Sequence, residues 1–224
     1  MLRSASGAQR ASTHTAAGSA ARRRLTRAAL SIAGMTIAAA IAAPSVSAAT
    51  TPVASGPDGT VQLTTTTIDR PYLSVEKYYL GLVNCTRTGG WVLSDGTCRG
   101  YGSGHYSAYR SPLTFNWGIS DKVSRPYAKL LAVKALCTHT ADGDPGYRLR
   151  RAGYTRWTWG ENIGCRDGYS TAKAAVLASH LYFQSEKSTN GGHWRNIKNA
   201  NYHWIGIGVW RYGTRTRLVT DFYG

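Results

Sequence analysis

The stretch that decides the fold is WIGIGVWRYGTRTRLVTDFY, at residues 204–223. Apolar residues alternate with small or polar ones from Trp204 to Trp210 and again from Thr216 to Tyr223, which is the period of a β-strand. The turn residues Tyr212-Gly213-Thr214 lie between the two runs, so the stretch predicts a β-hairpin. Helical patterns precede these strands. We therefore expect an α+β fold in which helices pack on the faces of a small antiparallel sheet.

Helical periodicity predicts four helices upstream of the hairpin. They are expected from Pro71 to Arg87, from an N-terminal cap at Ser120 to about Cys137, from Tyr147 to Ala152, and from Ser170 to about Lys187. The last helix has five residues on one face, at offsets of 0, 4, 7, 11 and 14: Ala172, Val176, Ser179, Phe183 and Glu186. Glu186 should therefore point where the core residues point. A Gly-rich loop is expected over residues 88–118, and a strand over residues 157–163.

Two imidazoles and two carboxylates are the candidate functional groups. His139 follows the second predicted helix, Glu161 lies in the predicted strand, Glu186 lies at the end of the fourth helix, and His193 follows that helix. These residue types bind divalent metal ions and transfer protons. The H-E-x-x-H spacing of zinc peptidases and the G-x-S-x-G pattern of serine hydrolases are both absent from the sequence.

The first 48 residues have the composition of a secretory signal peptide. They contain six arginines and no acidic residue, an alanine-rich apolar run from Ala28 to Ala43, and the small-residue segment Val46-Ser47-Ala48. We expect cleavage after Ala48 and a secreted, extracellular product. Residues 49–70, rich in Thr, Ser, Pro and Gly, predict a flexible leader, and residues 71–224 a single domain.

Charge and hydropathy limit the kinds of partner. The formal net charge falls from +16 to +10 when the six arginines of the signal are removed. Such a protein is attracted to anionic surfaces such as cell-envelope polymers, although a merely soluble basic surface is the other interpretation. After the signal, no apolar run approaches the ~20 residues of a transmembrane helix, so we expect no membrane anchor. Export and the absence of a nucleic-acid-binding motif argue against nucleic acid as a partner.

Four cysteines, Cys85, Cys98, Cys137 and Cys165, all lie in the exported part of the chain, where disulfides form. Three pairings exist in principle for four cysteines. Proximity in the sequence favours Cys85 with Cys98, which would close part of the Gly-rich loop, and Cys137 with Cys165. A four-cysteine zinc site is the alternative, but the chain lacks C-x-x-C spacing.

Four phrases occur in order along residues 71–224. They are LVNCTR at 82–87, CTHTADG at 137–143, GENI at 160–163, and GHWRNI at 192–197 followed by IGIGV at 205–209. Together they resemble the CAP superfamily of cysteine-rich secretory proteins, antigen 5 and pathogenesis-related protein 1, whose domain is also called the SCP domain. The chain is similar to the bacterial members, with Phe183 in place of a tryptophan three residues before Glu186.

The resemblance implies both a fold and a site. The implied fold is a three-layer α/β/α sandwich with a small central antiparallel sheet. The implied site is a cavity lined by a His-Glu-Glu-His tetrad, which in this chain is His139, Glu161, Glu186 and His193, and which can hold zinc or another divalent cation. On this basis the leading prediction is a secreted binding or interaction protein.

Other interpretations stay open. The tetrad could serve a metal-assisted hydrolase, with Glu161 or Glu186 as the general base, or it could be a polar network that orders the cavity loops. Aromatic residues could line a groove for lipid or sterol, or they could pack in the core; the tryptophans concerned are Trp157, Trp159, Trp194, Trp204 and Trp210. His180 is interpreted as a packing histidine, and His105 and His203 as surface residues.

Overall fold

The structure is a computed structural model that describes residues 50–52, 63–65 and 68–224. The predicted signal peptide and most of the predicted leader lie outside the described residues. The helices are α1 (Leu73–Arg87), α2 (Trp117–Ile119), α3 (Arg125–Val133), α4 (Pro145–Arg151), α5 (Ala172–Ser185) and α6 (Gly192–Lys198). The strands are β1 (Thr50–Pro52), β2 (Leu63–Thr65), β3 (Trp91–Val92), β4 (Cys98–Arg99), β5 (Thr114–Phe115), β6 (Trp159–Asp167), β7 (Trp204–Tyr212) and β8 (Arg215–Tyr223). Within the described part of the chain, no helix is long and apolar enough to cross a membrane.

The hairpin predicted at the end of the chain forms. β7 and β8 pair antiparallel, and only Gly213 and Thr214 separate them. β6 pairs antiparallel with the other side of β8, so the order of the main sheet is β5-β7-β8-β6. The short strand β5 is parallel to β7, an exception to the all-antiparallel sheet that we expected. A strand of two residues is too short for a sequence pattern to reveal. Two further antiparallel pairs, β1 with β2 and β3 with β4, lie apart from this sheet.

Helices cover both faces of the main sheet, which confirms the predicted three-layer α/β/α architecture. The side chains of Ile205, Ile207 and Val209 pack with α1 and α5 on one face. On the other face, Val219 and Ile163 pack with α3. Neighbouring residues of a strand point to opposite faces, so the alternation in the sequence decides which side chain enters which layer.

Gly206 and Gly208 let the second helical layer approach β7 closely. A π-helical turn, Ser120–Ser124, joins α2 to α3 and lies against these glycines. A Cβ atom at either glycine would collide with this layer, at Gly208 with the backbone of Ser124. The same approach brings the hydroxyl of Ser120 to the backbone N–H of Ile207, which donates to it over 2.8 Å. In the IGIGV phrase, the isoleucines and the valine therefore pack into one helical layer, and the two glycines leave room for the other layer.

The second predicted helix begins and ends earlier than expected. The cap is Asn116, whose side chain accepts a hydrogen bond of 2.9 Å from the backbone N–H three residues later. The prediction of a cap at Ser120 was wrong because that hydroxyl accepts from β7 instead. The helix ends at Val133 rather than near Cys137. Ala135 has a φ of 57°, which an α-helix does not contain.

Arg87 connects the end of α1 to distant segments. Its side chain is fully buried and donates to four carbonyl oxygens, those of Ser111 (2.9 Å), Ile197 (2.7 Å), Asn199 (2.9 Å) and Tyr202 (3.2 Å). Burial, and secondly repulsion from Arg110, lowers the pKa of Arg87 to about 10. Asn84, from the same LVNCTR phrase, bonds both the N–H and the C=O of Leu113. This phrase therefore holds the Gly-rich segment and α6 in place.

Both predicted disulfides form. Cys85 bonds Cys98 and Cys137 bonds Cys165, and no cysteine is free. The structure therefore excludes the four-cysteine zinc site. The second disulfide joins the segment after α3 to β6, where two of the candidate functional residues lie.

His180 is fully buried between α1 and α5. Its Nε2 atom lies 2.9 Å from the hydroxyl oxygen of Thr86, and its ring meets that of Tyr79 edge-on. Burial lowers the pKa of His180 to about 3. The residue is a neutral part of the core at physiological pH, in agreement with its interpretation as a packing histidine.

We expect Gly208→Ala to lower the free energy of unfolding by about 1–3 kcal/mol, because the new Cβ atom would press on the backbone of Ser124. Gly81→Ala is the matched control. Gly81 lies in α1 with open space around its Cβ position, so the same change there should raise the free energy of unfolding by roughly 0.5–1 kcal/mol. Urea unfolding measures both values, and an unchanged stability for Gly208→Ala would refute the close approach.

His180 should make the protein sensitive to acid. Its pKa is about 3 in the folded chain and near 6.5 when unfolded, so unfolding takes up a proton between these values and stability falls as the pH is lowered through that window. Between pH 7.5 and pH 5, the parent should lose about 2 kcal/mol more than a His180→Gln variant. Urea unfolding at the two pH values measures this difference. Parallel pH dependences in the two proteins would contradict it.

Candidate functional site

His139 and Glu161 meet at the open edge of the sheet. Glu161 lies near the start of β6 with a side chain that is 1% exposed, and His139 lies in the segment after α3 with a side chain that is 49% exposed. The Nδ1–H group of His139 donates to Oε1 of Glu161 over 2.7 Å. The disulfide between Cys137 and Cys165 holds the histidine's segment against the same strand.

Arg148 and Tyr127 hold this pair in place. Arg148, from α4, forms a buried salt bridge with Oε2 of Glu161 and donates to the carbonyl oxygen of His139 over 2.8 Å. Its guanidinium lies 3.5 Å above the ring centroid of Tyr127. The hydroxyl of Tyr127 bonds the backbone on both sides of His139, one residue before it and two residues after it. The sequence contains no local signal for these contacts, and neither residue was predicted to be functional.

Asp221 lies opposite Glu161 on the neighbouring strand β8 and is fully buried. Burial, and secondly the negative charge of Glu161, raises the pKa of Asp221 well above its usual value. The hydroxyl of Ser124 donates to Oδ2 of Asp221 over 2.6 Å. A second negative charge is therefore disfavoured beside Glu161, whose own carboxylate faces the opposite charge of Arg148.

His193 and Glu186 form a second pair. Glu186 lies in a 3-10 turn after α5, and His193 lies in the first turn of α6. The ring Nδ1–H of His193 donates to Oε1 of Glu186 over 2.7 Å, and its backbone N–H donates to Oε2 over 3.0 Å. Burial raises the pKa of Glu186, but the hydrogen bonds from the ring and the backbone of His193 outweigh it, so this pKa is lowered overall. A Cβ atom at Gly191 would lie 2.5 Å from Oε2 of Glu186, so the turn requires glycine there.

Two asparagines join the pairs. Asn162, next to Glu161 in β6, donates to the carbonyl oxygen of His193 over 3.1 Å. Asn196, from α6, donates to Oδ1 of Asn162 over 2.8 Å and to the carbonyl oxygen of Glu161 over 3.1 Å. Gly160 permits this contact, since a Cβ atom there would lie 2.7 Å from Oδ1 of Asn196. The GENI and GHWRNI phrases are therefore in direct contact through their asparagines.

A cleft of about 310 Å³ crosses the open edge of β6 and contains both histidines. Its lining includes His139 and Ile163 on one side of the strand, and Tyr182, Phe183 and His193 on the other. The ring of Phe183 stacks on that of His193, with 4.3 Å between centroids. Stacking on one side and a carboxylate at Nδ1 thus orient the imidazole of His193 in the cleft.

The predicted tetrad is arranged as two histidine–carboxylate pairs. The histidines line the cleft, whereas Glu161 and Glu186 are absent from its lining. Among the described residues, no group of three or more His, Cys, Asp or Glu side chains is placed to hold a metal ion. The tetrad could therefore offer a cation in the cleft at most two ligands, one ring nitrogen of His139 and one of His193.

The predicted aromatic groove is not part of this cleft, because no tryptophan lines it. Trp194 is buried, whereas Trp157 is 86% exposed. The other three tryptophans, Trp159, Trp204 and Trp210, are half-buried. His105 and His203 are both exposed, as their interpretation as surface residues requires.

No protein-family model matches the chain, and no curated protein sequence matches it. Solved structures do align with it. An extracellular protein containing an SCP domain, from Bacillus anthracis, is 20% identical; the alignment covers 72% of this chain and 46% of that one, with a TM-score of 0.47. An outer surface protein from Borrelia burgdorferi is 15% identical, with 68% and 94% of the two chains covered and a TM-score of 0.49. NaASP2, crystallised with Zn²⁺, is 14% identical, with 67% and 79% covered and a TM-score of 0.44.

The SCP domain named for the Bacillus anthracis structure is the domain that the four sequence phrases resemble. This chain spans less than half of that protein's length. With identities of 20% or less and TM-scores below 0.5, the three alignments carry no argument about ligand or activity.

We expect Arg148→Met to lower the free energy of unfolding by about 3–5 kcal/mol, because it leaves the buried carboxylate of Glu161 without its opposite charge. Arg150→Met is the matched control, since Arg150 lies in the same helix but is exposed. That change should alter stability by less than about 0.5 kcal/mol. Urea unfolding at pH 7 measures both. Equal losses in the two variants would show that the Arg148–Glu161 pair has no special role in stability.

Proposed function

We propose that this chain is a secreted SCP-domain binding protein whose cleft holds a divalent cation between His139 and His193. The proposal rests on one observation, that a carboxylate engages the Nδ1 atom of each histidine. Export would follow from the signal peptide predicted over residues 1–48. The formal charge of +10 on residues 49–224 would then favour contact with anionic polymers of the cell envelope.

The engaged Nδ1 atoms determine which ring atoms can bind a metal. Because a carboxylate only accepts hydrogen bonds, Nδ1 carries the proton in both rings. The lone pair of each neutral ring is therefore on Nε2. In the described part of the chain, neither Nε2 atom has a hydrogen-bond partner. Carboxylate–histidine pairs of this kind orient metal-binding imidazoles and increase their basicity.

The donor chemistry fits zinc. Imidazole nitrogen is a preferred zinc ligand, and zinc sites that accept a ligand keep water in the remaining positions. His139 and His193 would hold the ion, and Glu161 and Glu186 would position their rings. A bound zinc ion would supply a Lewis acid for an anionic oxygen of a ligand.

The geometry favours binding over hydrolysis. All four carboxylate oxygens of the tetrad already have partners: those of Glu161 contact His139 and Arg148, and those of Glu186 contact the ring and backbone of His193. A general base needs an oxygen that can reach a water molecule beside the substrate. Neither carboxylate lines the cleft, so the hydrolase alternative gains no support from this arrangement.

Zinc titration by calorimetry tests the proposal. We expect saturable binding to metal-stripped protein, and loss of that binding in a His139→Ala/His193→Ala variant, because both proposed ligands are removed. Glu186→Gln should weaken zinc binding by about 10–100-fold, because the ring of His193 loses the carboxylate that orients it.

His203→Ala is the control, since His203 is exposed and lies outside the cleft. Circular dichroism verifies that each variant folds. Absence of saturable zinc binding in the parent would overturn the proposal and leave the two pairs as a structural network. Equal binding by the folded double variant would place the metal elsewhere in the protein.

A further inference from the structure

Arg166 adds a positive charge to the lining of the same cleft. It follows Cys165 in β6, and its guanidinium lies 5.4 Å from the ring centroid of Tyr182. It donates only to backbone carbonyl oxygens, that of Cys165 over 3.1 Å and that of Ala178 over 3.4 Å. Within the described residues, no carboxylate forms a salt bridge with Arg166. Its charge is therefore available to a ligand.

The rest of the lining has no negative charge to oppose it. No aspartate or glutamate lines the cleft. Of the two carboxylates behind the histidines, that of Glu161 is neutralised by Arg148, and that of Glu186 is hydrogen-bonded to His193. An arginine that faces a solvent-accessible cleft without a carboxylate is suited to bidentate binding of a carboxylate or phosphate group.

The cleft also has an apolar wall. Tyr182 lines it and is 52% exposed, whereas Ile163 and Phe183, which also line it, are 7% and 1% exposed. A ligand that bears an apolar group next to its anionic group would cover this wall and exclude water from it. A volume of about 310 Å³ is at the small end of the range for small-molecule sites.

We propose that Arg166 makes this cleft a binding site for phosphate monoesters that carry a small apolar group. The phosphate would bind Arg166, and the apolar group would pack on the exposed ring of Tyr182. The inference rests on the proposed function of the cleft and names the class of its ligand. The charge of Arg166 attracts a dianionic phosphate more strongly than a monoanion.

Calorimetric titration with phenyl phosphate tests the inference, first on metal-free protein and then with one equivalent of zinc. We expect saturable binding that Arg166→Gln weakens ten-fold or more, because charge-assisted hydrogen bonds to phosphate are lost. Arg156→Gln is the matched control. Arg156 is exposed and also lies 5.4 Å from an aromatic ring centroid, that of Trp204, but it lies outside the cleft. This variant should retain the parent affinity.

Two results would overturn the inference: no binding of phenyl phosphate, or equal binding by Arg166→Gln. Equal affinity for benzoate would overturn the preference for phosphate. If the Gln variant fails to fold by circular dichroism, Arg166→Lys replaces it, and loss of the bidentate geometry should still weaken binding several-fold.

The outcomes separate this inference from the proposed function. Phosphate binding that depends on Arg166 in metal-free protein, together with a failed zinc titration, would support the inference and overturn only the metal site. Zinc binding without phosphate binding would do the reverse. If the protein co-sediments with phosphatidic acid vesicles and Arg166→Gln removes this binding, the phosphate group belongs to a lipid. Sedimentation that Arg166→Gln leaves unchanged would count against the inference, because it reflects the basic surface as a whole.

Discussion

The buried carboxylate of Glu161 is the constraint around which this half of the molecule is arranged. A charge out of contact with water has to be neutralised, and Arg148 from α4 does this. Asp221 lies beside it, and burial and the charge of Glu161 raise its pKa, since a second negative charge there would be unopposed. The other oxygen of Glu161 accepts from Nδ1 of His139 and so leaves the Nε2 atom of that ring free. One buried charge therefore connects α4, β6, β8 and the segment after α3.

The cleft exists because β6 is an edge strand, and within the described residues no further strand pairs with its outer side. Exposed strand edges invite pairing with other chains, and here side chains occupy the edge instead. Three backbone carbonyl groups of β6 accept hydrogen bonds from side chains. Tyr202 donates to that of Trp159, Asn196 to that of Glu161, and Arg166 to that of Cys165. This arrangement blocks strand addition and still leaves a groove open to solvent. The two helical layers each deliver one histidine to that groove, from opposite faces of the sheet.

Arg87 and the β7 glycines hold the two helical layers in position against the sheet. Within the described residues, Arg87 contacts carbonyl dipoles rather than a carboxylate, so its position depends on two backbone segments, one at Ser111 and one at residues 197–202. Through two of these contacts it holds the end of α6, the helix whose first turn carries His193. Gly208 sets how closely the π-helical turn approaches the sheet on the other side. Residues that do not line the cleft thus hold the helical layers in place on both faces of the sheet.

The sequence by itself determined the hairpin, α1, α5 and both disulfides, because strand alternation, helical periodicity and proximity along the chain are local properties. The phrases also contain three of the four residues predicted to form the tetrad, His139, Glu161 and His193, and helical periodicity places the fourth, Glu186, at the end of a helix. Only the tertiary structure decided that these four form two separate pairs, that Arg148 neutralises Glu161, and that Asn196 meets Asn162. Those partners are 13 and 34 residues apart in the sequence. Such contacts depend on how the layers pack. The hydrophobic periodicity of one helix or strand does not indicate which buried charge on another element it will contact.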